Sequence, residues 1–411
     1  MKERPTSMMK NVSVHDAVSL LLSNMPPSGT QEVSLPDAAF RVLASDLKAQ
    51  VDLPPFHKSV YDGFALRSCE TSGASDQAPA RFRITGTVAA GDFTKEPLPK
   101  GCAVRIMTGA PLPEGADCVI NFESVTWTEE TLTLKTPLCP GQNVDRKGDE
   151  VCAGSVLLKK GELLTPAHLG ILAAQGAGSV PVFRRPSAAV LSTGSELQEA
   201  GTPLTAGKIY NSNLYVLRAL LEQEGCRVND SLHTEDDEDR ICQAIRNLAD
   251  HNDLIITTGG ASVGDRDYIF SALRKAGACV LFAHVNMKPG SCCYGAKLGK
   301  TLVISLSGNP GAALSACYLI ALPVIRKLAG RSDFTLKEAM LPLKRGFQKS
   351  CPCPRILKGH TEISGGVMCF VEHEGQKNGM QSSFLHMDAL AELPPTDTPL
   401  PAGTLVRVLL P

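Results

Sequence analysis

The sequence lacks an excess of charge of either sign and lacks a long apolar run. Its 41 Lys and Arg residues against 42 Asp and Glu residues give a net charge of −1, so no global positive field attracts nucleic acid or an anionic membrane. The first twelve residues lack the apolar region of a signal peptide, and the most apolar later stretch, 312–325, is too short to span a membrane and predicts a buried helix. We therefore expect a cytoplasmic protein with no nucleic-acid or membrane partner.

Cysteine pairs at the spacing of a zinc site are also missing. The 14 cysteines are scattered, and the two close clusters, Cys292-Cys293 and Cys351-Cys353, have no second pair at zinc spacing. Without an export signal, reduced packing thiols are the better interpretation than disulfides. We expect no structural metal.

The length indicates several domains, because 411 residues exceed an ordinary single core. Changes of pattern along the chain predict a multidomain α/β plus β fold. The predicted domains are an N-terminal mixed linker domain (1–53 and 149–186), an inserted small β domain (54–148), a parallel α/β sheet domain (187–330) and a C-terminal β-barrel-like domain (331–411).

Local patterns predict the first elements. Apolar residues at helical spacing predict a helix over 13–24, with Ser13 as its N-cap, and a second helical segment over 35–44. Short β-type runs between Gly and Pro turns predict a small antiparallel barrel in the inserted domain; the runs are 81–88, 103–107, 117–121 and 132–135.

Between 187 and 330, apolar strands alternate with amphipathic helices. This alternation predicts right-handed βαβ units and a parallel sheet covered on both faces. The predicted strands are 188–192, 254–257, 280–283 and 302–306. The helices between them carry apolar residues on one face, as at Leu214, Leu217 and Leu221.

Four loops that follow these strands share Gly, Ser and Thr residues. We call them loop 1 (192–196), loop 2 (257–264, leading to Asp267), loop 3 (288–290) and loop 4 (307–310). Glycines let the backbone approach an oxyanion, and hydroxyls, N–H groups and helix N-termini stabilise it. Ligands of such sheets bind beyond the carboxyl ends of the strands, so the four loops together predict a cradle for a phosphorylated ligand. Taken singly, each loop is also explained by a strand that ends at a turn.

Carboxylates near loop 1 are candidates for Mg²⁺. Glu196 lies in the loop and the pair Asp236-Asp237 follows further along the chain. Hard cations prefer carboxylate oxygens beside phosphate. The alternative for each is a helix cap or a solvated surface residue.

The motifs resemble, along essentially the whole chain, those of the molybdopterin molybdenumtransferases, the MoeA family, to which the gephyrin E domain also belongs. The matching segments are Arg41-Val-Leu-Ala-Ser-Asp46, Asp52-Leu-Pro-Pro-Phe56, Ser59-Val-Tyr-Asp-Gly-Phe-Ala65, Arg105-Ile-Met-Thr-Gly-Ala-Pro111, Gly115-Ala-Asp117, Gly141-Gln-Asn143, Ser192-Thr-Gly-Ser-Glu-Leu197, Asn211-Ser-Asn213, Thr258-Gly-Gly-Ala-Ser-Val-Gly264, Lys288-Pro-Gly290 and Gly308-Asn-Pro310.

The resemblance implies that the α/β domain is of the molybdopterin-binding type and that the protein is a homodimer with a cleft shared between subunits. It implies a reaction in which adenylylated molybdopterin and molybdate, or tungstate, react with Mg²⁺ to give molybdenum cofactor and AMP. A molybdopterin adenylyltransferase is the implied upstream partner. A non-catalytic family member that binds molybdopterin or acts as a scaffold is the alternative.

Site residues are carried over by motif. The implied catalytic residues are Asp62, Glu196, Asp236 and Lys288, of which Asp62, Glu196 and Asp236 are the implied metal ligands. The implied substrate-binding residues are Thr108, Glu123, Thr193, Gly194, Ser195, Asn213, Gly259, Gly260, Ser262, Gly264, Asp267, Pro289, Gly290, Gly308, Asn309 and Pro310.

The sequence departs from the family pattern at several anion contacts. The usual arginine after Gln-Asn is Asp145, with Arg146 adjacent, and Lys58 stands where the family often has Asn. The common Gly-Glu-Asp segment of the family is Gly148-Asp149-Glu150 in this chain. Ser291 replaces the second lysine of Lys-Pro-Gly-Lys, which predicts weaker oxyanion capture at loop 3.

Overall fold

The computed structural model describes residues 9–260 and 267–411 and divides into two compact units. The first unit comprises Met1–Ser45, Lys160–Thr165 and Ser179–Pro411, and the second comprises Asp46–Lys159 and Pro166–Gly178. The predicted division into four domains is finer than these two units and stays a prediction.

A seven-stranded sheet forms the centre of the first unit. Its strands in chain order are β1 (Met9–Val12), β2 (Ser187–Thr193), β3 (Arg227–Thr234), β4 (Leu254–Thr258), β5 (Cys279–Val285), β6 (Tyr294–Leu298) and β7 (Thr301–Leu306). The order across the sheet is β1-β5-β6-β7-β4-β2-β3. All neighbours are parallel except at β6, which runs antiparallel to both β5 and β7.

The prediction of a wholly parallel sheet is therefore wrong at β6. Only Gly299 and Lys300 separate β6 from β7, and Gly299 adopts a φ of 58° that suits a tight hairpin turn. So short a connection can join only antiparallel strands. The four predicted strands are confirmed as β2, β4, β5 and β7.

Helices cover both faces of the sheet. They are α1 (Val14–Ser23), α2 (Ser212–Gln223), α3 (Glu238–Ala249), α4 (Tyr268–Ala276), α5 (Pro310–Ala316) and α6 (Leu322–Leu328). Along β2, Ala188 and Val190 pack in the core with α1, α2, α5 and α6. Ala189 and Leu191 point to the opposite face and pack with α3 and α4.

Polar side chains fix where three of these helices begin. Asn211, Asp237 and Asp267 each accept a hydrogen bond from the backbone N–H three residues later, as N-caps of α2, α3 and α4.

The apolar segment Pro310–Leu328 combines α5, a π-helical segment (Cys317–Ala321) and α6. Length and composition alone would let this described helix cross a membrane, but 83% of its most apolar window is buried inside the protein. Its side chains belong to the core of the first unit. The expectation of a buried helix is confirmed.

Three further sheets lie in the described part of the first unit, and one of them is the short parallel pair Leu197–Gln198 with Ile209–Tyr210. An antiparallel sheet near the C-terminus has the order Lys337–Pro342, Leu405–Leu410, Ala389–Leu393, Arg355–Ser364, Val367–Glu372. Thr30–Ser34 pairs with Ser179–Phe183 as a two-stranded ribbon.

The helical segment predicted over 35–44 is wrong beyond its first turn, because only Leu35–Ala38 is helical and it is a 3-10 turn. Phe40 then adopts a φ of 57°, which ends the turn. Val42 and Leu43 form bridges to Leu163 and Val182, so these apolar residues are used in extended pairing.

The second unit is built on a six-stranded sheet. Its order is Cys118–Asn121, Gly63–Leu66, Cys102–Ile106, Ala80–Val88, Thr131–Leu134, Thr126–Trp127. Ala80–Val88 and Cys102–Ile106 run parallel, so the prediction of an antiparallel barrel is wrong. The connection between them is about a dozen residues long, which is enough for a crossover. The unit also contains the helix Pro166–Ala174 and two short strand pairs, Lys58–Ser59 with Val144–Asp145 and Leu47–Lys48 with Val156–Leu158.

Candidate active site

The carboxyl ends of β2, β4 and β7 border one cavity of about 50 Å³. Loops 1, 2 and 4 and the start of α2 line it. Six of the predicted site residues meet there: Thr193, Glu196, Asn213, Gly259, Gly308 and Pro310. The other residues that line the cavity were not predicted as site residues: Leu197, Ile209, Tyr210, Asn211, Ser212 and Thr258. Of these, Asn211 was recognisable in the sequence as a helix cap.

Asn213 connects two of the loops. Its Nδ2 donates to Thr258 Oγ1 at 2.8 Å and to the carbonyl oxygen of Gly308 at 2.9 Å. Thr258 Oγ1 in turn donates to the Ser307 carbonyl oxygen at 3.0 Å. This buried network holds loops 2 and 4 at a fixed separation on the floor of the cavity.

The glycines of loop 2 allow it to approach loop 1. Gly259 has a φ of 91°, and a Cβ atom on it would lie 2.0 Å from the carbonyl oxygen of Thr193. A Cβ atom on Gly260 would lie 2.7 Å from Thr193 Oγ1. These two glycines are therefore required for the contact between the loops. The Thr193 hydroxyl is buried and has no hydrogen-bond partner among residues 9–260 and 267–411, so the cavity wall holds a polar group that these residues do not satisfy.

Asp236 contacts loop 1, which carries Glu196, but unlike Glu196 it does not line the cavity. The backbone N–H of Ser195 donates to Asp236 Oδ2 at 3.3 Å. This hydrogen bond connects the segment that follows β3 to loop 1. Gly194 leaves room for the Glu196 carboxylate, which would lie 2.7 Å from a Cβ atom there. In the described chain the Glu196 carboxylate has no hydrogen-bond or ion-pair partner. Oxygen atoms of both acids remain available to a hard cation or to water.

Two other acidic candidates have structural partners. Asp237 caps α3, which confirms the helix-cap alternative for that residue. Asp267 caps α4 and accepts a hydrogen bond from Tyr294, and burial together with this bond raises the pKa of the Tyr294 hydroxyl. The predicted substrate-binding residues Ser262 and Gly264 lie outside the described residues.

None of the loop 3 residues lines the cavity in the described chain. Lys288, the first residue of this loop, is exposed. Pro289 and Gly290 are buried, and a Cβ atom on Gly290 would lie 2.5 Å from Met287 Cε and 3.1 Å from the Ala312 carbonyl oxygen. Gly290 thus lets loop 3 pack closely against α5. Asn309, in loop 4, is exposed.

The cysteines after loop 3 are packing thiols. Cys293 is fully buried in the core, and burial raises its pKa. Burial also raises the pKa of Cys292, with Ser291 acting in the opposite direction. Both thiols therefore stay protonated and neither is a strong anion or metal ligand at neutral pH.

In the second unit, Asp62 is bound to a neighbouring loop. Its Oδ1 accepts hydrogen bonds from the backbone N–H of Thr108 at 2.7 Å and from Thr108 Oγ1 at 2.8 Å. These bonds lower the pKa of the exposed Asp62 carboxyl, and Arg105 contributes in the same direction. Glu123 is exposed and accepts from Asn121 Nδ2 at 3.0 Å.

Known proteins match this chain along nearly its whole length. A family model for the MoeA N-terminal region (domain I and II) matches residues 12–176, and one for a probable molybdopterin binding domain matches residues 189–327. Curated relatives from Staphylococcus aureus and Staphylococcus epidermidis, both called molybdopterin molybdenumtransferase, are 34% and 32% identical over 97% of this chain and 95% of theirs. The chain belongs to the molybdopterin molybdenumtransferase family.

Solved structures agree with this assignment. Two structures of a molybdopterin biosynthesis MoeA protein from Pyrococcus horikoshii are 29% and 27% identical, cover 97% and 98% of this chain and 99% and 100% of theirs, and each have a TM-score of 0.83. The resemblance inferred from the motifs, the multidomain α/β plus β fold class and the prediction of a transferase of molybdenum cofactor biosynthesis are confirmed.

Two of the departures from the family pattern pair with each other. Lys58 and Asp145 are opposite in a short antiparallel strand pair, and Lys58 Nζ lies 3.4 Å from Asp145 Oδ2. A lysine in place of the usual Asn therefore accompanies an aspartate in place of the usual arginine. Lys58 supplies one positive charge at this position of the molybdenumtransferase fold, and Asp145 cancels it, so the pair has no net charge.

Asp62→Asn should keep the fold but lower turnover at least about tenfold. An asparagine Oδ1 can accept both Thr108 hydrogen bonds, so the melting temperature should change little. The predicted role of Asp62 is one charged metal or substrate contact, and loss of such a contact costs roughly 1.5–3 kcal/mol. Steady-state kinetics with parallel melting curves would check this. Unchanged turnover would assign Asp62 to the structure alone.

Lys358, which no sequence pattern indicated, is buried beneath loop 4. The residue is 0% exposed, and no described residue forms a hydrogen bond with its Nζ. A Cβ atom on Gly311, at the start of α5, would lie 3.3 Å from this nitrogen, and the ring of Phe384 is 5.2 Å away. Burial lowers the pKa of Lys358. An unpaired ammonium here opposes folding at neutral pH.

Lys358→Met should therefore stabilise the protein by about 1–3 kcal/mol at pH 7. The pKa of Lys358 is lower in the folded state than its ordinary value of 10.5. Between these two pKa values the unfolded chain therefore holds more protons than the folded chain, so the free energy of unfolding rises with pH. The wild type should thus gain stability over that range and the advantage of the variant should shrink. Denaturant unfolding at several pH values tests this, with Lys344→Met, which removes an exposed ion pair with Glu362, as the control. A destabilised Lys358→Met would contradict the argument.

Proposed function

We propose that the protein inserts molybdate, or tungstate, into adenylylated molybdopterin in a Mg²⁺-dependent reaction that releases AMP. The observation that carries the proposal is the cavity shared by loops 1, 2 and 4, where glycine backbone, a buried unpaired hydroxyl and free carboxylate oxygens converge. This combination suits a phosphorylated ligand and a hard cation.

The residues divide into three roles. Asn213 holds loops 2 and 4 so that their backbone can follow the phosphate groups. Glu196 and Asp236 would hold Mg²⁺, which when bound offsets the charge of the phosphates. The Lys288 side chain is exposed and makes no hydrogen bond or ion pair in the described chain, and it would attract the oxyanion. We propose further that the protein works in the cytoplasm as a homodimer with a cleft shared between subunits, Asp62 being its third metal ligand, and that a molybdopterin adenylyltransferase supplies its substrate.

Release of AMP tests the proposal directly. Purified protein given adenylylated molybdopterin, Mg²⁺ and molybdate should release AMP in proportion to the cofactor formed. Binding of molybdopterin without AMP release, at any molybdate or tungstate concentration, would instead support a non-catalytic scaffolding role, for which Ser291 and Asp145 are the residues to examine.

Ser291→Lys should lower the molybdate concentration for half-maximal insertion by roughly tenfold. The side chain at 291 is exposed, so a lysine can be accommodated. One charge-assisted contact is worth about 1.5 kcal/mol. A molybdate titration of AMP release would measure it. No change with an intact fold would mean that the anion is held elsewhere, for which Lys288, Arg146 and the loop amides are the candidates.

A further inference from the structure

We propose that four arginines at the amino ends of β2 and β3 form a second anion site that takes a di- or triphosphate group. The site is independent of the function proposed above. It lies in a groove of about 430 Å³ lined by Arg41, Arg184, Arg185 and Arg227. None of the described residues that line this groove is an Asp or a Glu. In a chain of net charge −1, this is a local concentration of positive charge.

Two of the arginines are held in place before any ligand arrives. Arg41 is only 8% exposed and donates from Nη2 to the Phe183 carbonyl oxygen at 2.9 Å. Arg184 Nη2 donates to Asp253 Oδ2 at 2.8 Å, and the same oxygen accepts from the backbone N–H and hydroxyl of Ser187. These contacts fix two guanidinium groups at the wall of the groove, so little side-chain entropy is lost on binding.

The other two arginines have no partner. Arg185 and Arg227 are exposed, and neither makes a side-chain hydrogen bond or ion pair within the described ranges. Asp253 is the one carboxylate paired with the four arginines in those ranges, so three positive charges are not balanced. Burial lowers the pKa of Arg41, and the charge of Arg185 adds to the effect. A bound polyanion would relieve this repulsion.

The geometry favours phosphate groups over a single small oxyanion. A guanidinium group binds phosphate through two parallel N–H donors. Four guanidinium groups spread along one groove offer more donors than one tetrahedral dianion can use, whereas two or three linked phosphates can engage them. Ser187 and Arg227 lie side by side in the sheet register, which places the groove at the starts of the strands.

This groove is separate from the cavity at loops 1, 2 and 4. The strand β2 begins at Ser187, in the groove, and ends at Thr193, in the wall of the cavity. At about 3.3 Å per residue its length is roughly 20 Å. One ligand molecule of nucleotide size cannot fill both sites at once.

A neighbouring pocket that contains two aromatic side chains distinguishes two sources of the phosphate group. This pocket, of about 120 Å³, shares Arg41, Arg184 and Arg185 with the groove and is also lined by Phe40, Phe183 and the acidic residue Glu224. A nucleotide could place its base against these rings, whereas an inorganic polyphosphate could not use them. Tighter binding of ATP than of tripolyphosphate would indicate a nucleotide, and equal binding an inorganic polyphosphate. Both results support the site.

Isothermal titration calorimetry of the full chain with tripolyphosphate, at fixed ionic strength, tests the proposal. The Arg185→Gln/Arg227→Gln variant should weaken binding at least about tenfold. The control Arg218→Gln/Arg240→Gln removes the same charge from exposed ion pairs with Glu222 and Glu235 and should bind as the wild type does. Arg185→Lys/Arg227→Lys, which keeps the charge but loses the paired donors, should fall between them.

Three results would overturn the site. Equal weakening in the control variant would show attraction by net charge alone. Loss of tripolyphosphate binding in Lys288→Ala, with normal binding in Arg185→Gln/Arg227→Gln, would place the anion at loop 3. A changed molecular mass of Arg185→Gln/Arg227→Gln in light scattering, with anion binding unaltered, would make the arginines a subunit contact. Melting curves of each variant verify that it is folded.

Discussion

Gly259→Ala should abolish most of the activity, by about 100-fold or more, and lower the free energy of unfolding by about 2–4 kcal/mol. The added Cβ would lie 2.0 Å from the Thr193 carbonyl oxygen, a distance that two unbonded atoms do not reach. The Thr193 oxygen belongs to the backbone, so relief requires loops 1 and 2 to separate. That separation would widen the cavity at the point where we place the phosphate groups.

Gly277→Ala is the matched control for this variant. Gly277 has a φ of 89°, close to the 91° of Gly259, but a Cβ atom there would meet nothing within 4 Å. The control therefore carries the same backbone strain, about 1 kcal/mol, without the contact. AMP-release kinetics and denaturant unfolding of both variants separate strain from loop displacement. If the two variants behaved alike, the close approach of loops 1 and 2 would not matter for function.

Glu196→Gln and Asp236→Asn should each reduce turnover at least tenfold and raise the Mg²⁺ concentration for half-maximal rate, since each loses a charged contact worth roughly 1.5–3 kcal/mol. If both carboxylates hold the same ion, the loss in the double variant should be smaller than the product of the two single losses. Initial rates over a Mg²⁺ titration give all three values.

Asp237→Asn provides the control for this series. Asn is as good an N-cap as Asp, so α3 should keep its stability. The substitution also removes one negative charge next to Asp236. Unchanged Mg²⁺ dependence in Asp237→Asn, beside a clear shift in Asp236→Asn, would separate a direct ligand from a general field effect. Multiplicative losses in the double variant would instead contradict a shared ion.

The helices and the main parallel strands of the first unit could be predicted because their signals are local. The polar caps Asn211, Asp237 and Asp267 stand in the sequence directly before apolar residues at helical spacing. The strands β2 and β4 are buried on both faces and therefore read as continuous apolar runs. The loops that follow them could be recognised for the same reason.

What could not be predicted depends on contacts between distant residues. The strand β3 is largely accessible and carries polar side chains, so it lacks an apolar run. The strand β6 contains Gly295, which is required because a Cβ atom there would lie 2.2 Å from the ring of Phe282. Lys358 lies in the strand Arg355–Ser364, and its ammonium is buried near Gly311, which is far away in the sequence. The local sequence therefore does not indicate that burial. In the site, loops 1 and 2 were predictable from their glycines, but the role of Asn213 in connecting loop 2 to loop 4 was not.

The hairpin that β6 forms with β5 gives loop 3 a different physical character from the other three loops. Of its two backbone N–H groups, that of Lys288 donates to the carbonyl oxygen of Pro354, while the flanking Val285 and Cys293 N–H groups both donate to the carbonyl oxygen of Ser291. Hydrogen exchange at these three amides should accordingly be slow before any ligand is added. Within the loop itself, at most the Gly290 N–H then remains as a backbone donor for an arriving oxyanion. Specificity at loop 3 then depends on the side chains at 288 and 291, where a single substitution can change anion affinity without disturbing the backbone.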